Sequence, residues 1–118
     1  KNEIIKRTKK FALDSEIFVL KYQSREYNAY INQLIPCSSS VGANCRGSQR
    51  AKSTADFIYK LKIVEEEADK RIYWLEILED ILPNDINEIQ KMKVEGKQLL
   101  GVIVASINTT KRNQKNKS

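Results

Sequence analysis

The stretch SSSVGANCRGSQRAKSTADFIYKLKIVEEEADKRIYWLEILEDIL (Ser38–Leu82) decides the fold. It reads as the end of one helix, a tight basic turn near Ala51–Lys52, and a long helix after it. Ser53 is placed to cap that helix, and Asp56 three residues on makes a short-armed capping box. No Gly or Pro interrupts positions 54–82. From Phe57 onward, Leu61, Val64, Ala68, Ile72, Leu75, Leu78 and Leu82 recur at spacings of three and four, which is one stripe of an α-helix. Pro83 and Asn84 then stop it.

Working outward, a first helix begins inside the basic run Lys1–Lys10. It carries Ile4, Thr8, Phe11, Ser15, Phe18 and Tyr22 on one side, a stripe that includes two hydroxyl residues, and a turn is expected around Gln23–Glu26. A second helix covers about Tyr27 to Arg50, with Tyr27, Tyr30, Ile31, Leu34, Cys37, Val41 and Cys45 inward. Pro36 removes a backbone donor within it and predicts a kink; the alternative is two shorter helices broken there. Asn44, between the stripe and its flank, reads as a satisfied amide that fixes packing. The fourth helix, capped by Asn84 or Asp85, turns Ile86, Ile89, the stem of Lys93, Gly96, Leu100, Ile103 and Ile107 inward. The fold class expected is all-α: one domain over 1–118, an up-and-down antiparallel four-helix bundle, with a frayed basic tail at 111–118.

The segment LLGVIVASI (Leu99–Ile107) is apolar almost all round, and such a helix needs cover on more than one face. A subunit interface is therefore expected at Leu99, Val102 and Val104, joined by Tyr73 and Trp74, which lie off the main stripe of the third helix. A deeply buried last helix is the alternative.

Composition narrows the class. With 41% hydrophobic and 31% charged residues, four Gly and two Pro, the chain is not disordered. It has no run of 18 apolar residues, so no membrane partner is expected, and no signal peptide is visible. Cys37 and Cys45, eight residues apart on one helix, would stand about 12 Å apart, too far to bridge. They read as reduced packing residues of a cytoplasmic protein. Histidine is absent, which removes the usual zinc and di-iron ligand sets and any His-assisted nucleophile. The carboxylates Glu65, Glu66, Glu67 and Asp69 fan around the third helix rather than converge. No cofactor, metal or catalytic residue is expected, and the chain does not read as an enzyme.

Charge is the informative feature. The net charge is +6, and short connections would gather three basic segments at one end. The first helix brings Lys1, Lys6, Arg7, Lys9 and Lys10; the turn brings Arg46, Arg50 and Lys52; the tail brings Lys111, Arg112, Lys115 and Lys117. Glu26, Glu76, Glu79, Asp80, Asp85 and Glu88 mark the other end, against Lys21, Arg25 and Lys91. The five cations at the start of the first helix oppose its dipole, whereas those at the end of the fourth suit it. Contact with nucleic-acid phosphates is the reading for Lys6, Arg7, Lys9, Lys10, Arg46, Arg50, Lys52, Lys111 and Arg112. RNA and DNA both remain open. A structural or protein-interaction module, acting as an accessory subunit through the acidic end or an outer face, is the alternative.

SSSVGAN (Ser38–Asn44), RAKSTADFIYKL (Arg50–Leu61) and IVEEEADKRIYWLEIL (Ile63–Leu78), with FAL at Phe11–Leu13, resemble the bacterial four-helix-bundle family also called 23S rRNA intervening-sequence proteins. The accessory variability proteins of diversity-generating retroelements are related to that family in fold. The resemblance implies an up-and-down bundle assembled as a ring-like homopentamer, without known catalytic activity, and with a suspected nucleic-acid role in the retroelement relatives. Cys45, Arg46 and Gly47 depart from the family pattern, in which an acidic residue often follows the Asn at the position of Asn44. Pro36 departs too, standing where another helix residue is usual.

Overall fold

Ser53 begins the longest uninterrupted pattern in the chain as expected: its backbone is extended and its hydroxyl accepts from the Asp56 amide. The computed structural model describes residues 2–20 and 28–117. Four helices result, α1 (Asn2–Leu20), α2 (Asn28–Ser48), α3 (Thr54–Ile81) and α4 (Ile86–Lys117), with one 3-10 turn at Pro83–Asp85. The expected turn at Gln23–Glu26 lies outside the described residues, as do Lys1, Lys21, Tyr22, Arg25 and Tyr27 and the side chain of Ile31.

Successive helices run antiparallel. Thr8 lies against Gly42 and Ser15 against Ser38; Gly47 lies against Lys60 and Tyr30 against Trp74; Gly96 lies against Ile72, and Lys93 reaches Glu79. The bundle measures 53 × 22 × 20 Å, close to the ~48 Å that 32 helical residues span. α1 packs on α2, α2 on α3 and α3 on α4, whereas the α1–α4 seam is loosely closed. That seam leaves a groove of about 470 Å³.

The core divides in two. Near the α2–α3 turn, Phe11, Val41, Cys45, Leu61, Val64, Ala68, Leu99, Ile103 and Ile107 pack together, with Ile4 and Phe57 at their edge. Towards the other end, Phe18, Leu34, Leu75, Leu78, Leu82, Ile89 and Met92 form the second cluster. Each fully buried Leu or Phe contributes roughly 1.5–3 kcal/mol.

α2 is a single helix through Pro36, as first read, and not the two shorter helices of the alternative; two other expectations change. Pro36 and Asn32 are both exposed, so the Asn32 carbonyl that loses its donor faces water. The inner face of α4 is Ile89, Met92, Gly96, Leu99, Ile103 and Ile107, so Met92 replaces Lys93 and Leu99 replaces Leu100. The two stripes share Ile89, Gly96, Ile103 and Ile107 and differ by one position between them, a step that a helix apolar on several sides does not fix by spacing. Lys93 instead pairs with Glu79 at 2.8 Å. The tail 111–117 continues α4 rather than fraying; it holds no Gly or Pro, and its cations suit a helix C-terminus.

The α3 cap also fixes a pH dependence. The Asp56 carboxylate accepts from the Lys60 ammonium at 2.7 Å and from the Lys52 amide at 3.1 Å. The Lys60 hydrogen bond first, and the amide second, hold its pKa below the ordinary 3.8. The folded state therefore favours the ionised form, a gain present above 3.8 and lost as pH falls through the lowered value. In urea unfolding, Asp56→Asn is expected to be less stable than wild type at pH 7, with the gap closing on acidification below 3.8. A gap independent of pH would contradict this account.

Candidate functional site

Ile4, Cys45, Phe57 and Ile107 come from four different helices and share one cluster, so the start of α1, the α2–α3 turn and the far part of α4 do converge. Thr110 shares a shallow pocket with Ser48, Gln49 and Ser53. Around this end Lys6, Lys9, Arg46, Arg50, Lys52, Lys111 and Arg112 are exposed. None has an ion-pair partner among the described residues. The N-terminus of α3 points the same way and adds its positive partial charge.

Arg7 and Lys10 differ from that group in already holding a carboxylate. The Arg7 guanidinium donates to Glu95 at 3.1 and 3.2 Å, and the Lys10 ammonium donates to Asp14 at 2.8 Å. Both follow from side-chain direction: Arg7 turns across the seam to a carboxylate of α4, and Lys10 turns along α1 to one a turn further on.

The interface candidates also differ among themselves. Leu99 is only 1% exposed and belongs to the bundle's own core, so it is not available to a partner. Tyr73 is 56% exposed and stacks edge-on against the half-buried Trp74, which leans towards Tyr30 of α2. Val104 sits in a shallow α3–α4 groove with Leu100, Lys62, Glu65, Glu66 and Asp69, while Val102 is exposed. Of the five, Leu99 is core, and the other four lie on α3 and α4.

The feature that periodicity missed is Arg71. It is 1% exposed, at mid-height between the two core clusters. Its Nε donates to Ser15 Oγ at 3.0 Å, and its Nη1 donates to the Met92 carbonyl at 3.3 Å. Its guanidinium carbon lies 3.7 Å from the centre of the Phe11 ring, a cation–π contact. Ser15 in turn shares a 2.8 Å hydrogen bond with Ser38 of α2. One polar layer thus joins all four helices. Beside it, Gly96 lets α4 approach α3: a Cβ there would crowd Ile72 at 3.2 Å, while 3.6 Å to Nη1 would be an ordinary contact.

No carboxylate lies within 4.0 Å of Arg71 among the described residues. Burial brings its pKa down to about 10, partly offset by the more distant Asp14 and by other nearby groups, so it remains charged at neutral pH. A sequence signal for it existed. Arg71 stands three residues after Ala68 and four before Leu75, on the stripe itself.

The remaining candidates for chemistry are quiet. Burial pushes both cysteine thiols up, which disfavours the reactive thiolate. Both are free and buried. Lys70 bridges Glu67 at 3.0 Å and Glu66 at 3.8 Å, while Asp69 stays exposed. Asn44 donates to the Ser40 carbonyl and hydroxyl one turn back, a local use of its amide.

No known protein family matches the chain, and no curated protein does. The structure is similar to the crystal structure of a protein of unknown function from the S23 ribosomal protein family of Bacteroides thetaiotaomicron. The two share 25% sequence identity and a TM-score of 0.79, over 88% of this chain and 97% of that one. The likeness agrees with the four-helix architecture. No helix among the described residues is long and apolar enough to cross a membrane.

The polar layer is testable by a double-mutant cycle. Ser15→Ala removes the Nε acceptor and is expected to cost about 1–3 kcal/mol in denaturant unfolding, the penalty for stranding a buried donor. In an Arg71→Met background the same change is expected to cost much less. Equal costs in both backgrounds would show that the two residues are not coupled.

Proposed function

We propose that this chain is a non-enzymatic, self-associating helical bundle that binds nucleic-acid backbone through its basic end. The observation that carries the reading is a gathering of cations without carboxylate partners. Arg7, Lys10, Lys60, Lys70 and Lys93 each hold a carboxylate, Lys60 beside Gly47 at the same end, while Lys62, Lys91 and Lys97 are scattered along the sides without one among the described residues. Lys6, Lys9, Arg46, Arg50, Lys52, Lys111 and Arg112 at the end hold none among the described residues. Unpaired cations gathered in one region are the electrostatic footprint of a polyanion site. The pocket at this end, shared by Ser48, Gln49, Ser53 and Thr110, is shallow, and the exposed cations direct contact to phosphates with little sequence preference.

The structural neighbour's family bears a ribosomal-protein name, which fits a ribonucleoprotein setting and a cytoplasmic location. The resemblance to the 23S rRNA intervening-sequence and retroelement accessory proteins supports the same reading, and it supports a homopentamer as the assembled form. Exposed Tyr73 and Val102 supply apolar surface for self-association. A second reading, a protein-docking module, draws on the aromatic group Tyr30, Tyr73 and Trp74 at the α2–α3 face.

Changing Lys6, Lys9, Arg50, Lys52, Lys111 and Arg112 together to Gln tests the first reading. Wild type should bind a short RNA with log K falling linearly against log salt. Each phosphate that the variant no longer neutralises should flatten that slope by about 0.7. Binding indifferent to salt, or unchanged in the variant, would refute the basic-end site. Light scattering on the free protein measures self-association separately, and a monomer would refute that part.

A further inference from the structure

Arg71 raises a question that bundle stability does not answer. Buried charged groups are expensive to desolvate, and buried ion pairs can often be replaced by apolar side chains of similar volume without loss. Here the charge is kept, with no carboxylate within 4.0 Å among the described residues. Nε and one Nη1 hydrogen are used by Ser15 and Met92, and the remaining guanidinium donors have no acceptor among the described residues. The group forms part of the floor of the α1–α4 groove, at the one loosely closed seam of the bundle.

The groove has the character of a small-molecule site. Its 470 Å³ lies within the range of ligand pockets. Phe11 and Met92 floor it, and the side chains of Ile17 and Val94, 57% and 55% exposed, line it further up. The carboxylates Asp14, Glu88 and Glu95 and the ammonium groups of Lys10 and Lys91 also line it. Asp14 is already held by Lys10, and Glu95 by Arg7. The Lys10–Asp14 pair is solvent-exposed, and moving it aside costs little.

We propose that this groove binds a single carboxylate carried on an apolar stem, with the unused edge of the Arg71 guanidinium as its anchor. A planar guanidinium offers two parallel N–H groups to a carboxylate. One negative charge neutralises Arg71, whereas a dianionic phosphate would bring its second charge against the carboxylates that line the groove. The apolar walls require the stem. The site lies on the side of the bundle and is separate from the basic end.

The test is calorimetric titration of the full chain with hexanoate, hexanol and inorganic phosphate. Hexanoate is expected to bind saturably with a dissociation constant of about 1 mM or tighter, and to raise the melting temperature. Hexanol and phosphate should bind at least about tenfold more weakly, as should hexanoate to Arg71→Met, given the strength of a charge-assisted pair. Val94→Trp fills the groove from an exposed position and should also abolish hexanoate binding. Absence of hexanoate binding to wild type, parity with hexanol or phosphate, or undiminished binding by Arg71→Met would overturn the proposal. If Arg71→Met does not fold, undiminished binding by Val94→Trp overturns it instead.

Discussion

A guanidinium in the middle of a helical bundle has to find acceptors, and Arg71 finds them on other helices. Ser15 of α1 takes Nε, the Met92 carbonyl of α4 takes Nη1, and Phe11 lies under the plane. Ser38 of α2 is drawn in through Ser15. An unmade hydrogen bond from a buried charge is costly, so each of these contacts restrains how far the helices can slide or rotate. Apolar contacts alone would tolerate such shifts more easily. The two apolar clusters on either side supply most of the burial, and the polar layer sets their register.

The same constraint accounts for smaller choices. Gly96 lets α4 pack close on Ile72, next to Arg71 in the sequence. Thr8 and Ser15, which weaken the apolar stripe of α1, are buried and hydrogen-bonded. The α1–α4 seam stays loosely closed, with ion pairs from Arg7 and Lys10 along it in place of interlocking apolar side chains. That arrangement removes two cations from the basic end and leaves the others there without carboxylate partners among the described residues.

Much of the architecture could be read from the chain because local signals agreed. Ser53 caps, Pro83 stops, and the Leu61–Leu82 stripe has the helical period, so the α3 boundaries follow directly. What escaped reading depended on side-chain direction or on three-dimensional neighbours. A stripe counted from apolar residues passes over Arg71, although it sits on that stripe. Arg7 and Lys10 belong to the basic end by position along the chain, but their side chains turn to Glu95 on α4 and to Asp14 one turn on. Leu99 and Leu100 differ by one step in a helix that is apolar on most sides, and periodicity does not separate them. The charge segregation was legible; which of its members are unpaired was not.

The most direct test of the central claim is the exchange rate of the Arg71 side-chain Nε–H, observed in arginine-optimised proton–nitrogen correlation spectra and assigned with Arg71→Lys. Burial and the bond to Ser15 predict one guanidinium Nε–H that exchanges slowly with water at neutral pH and keeps the nitrogen shift of the charged form. An Arg71 signal that exchanges as fast as those of the exposed Arg46 and Arg50 would contradict the polar layer and the register it sets.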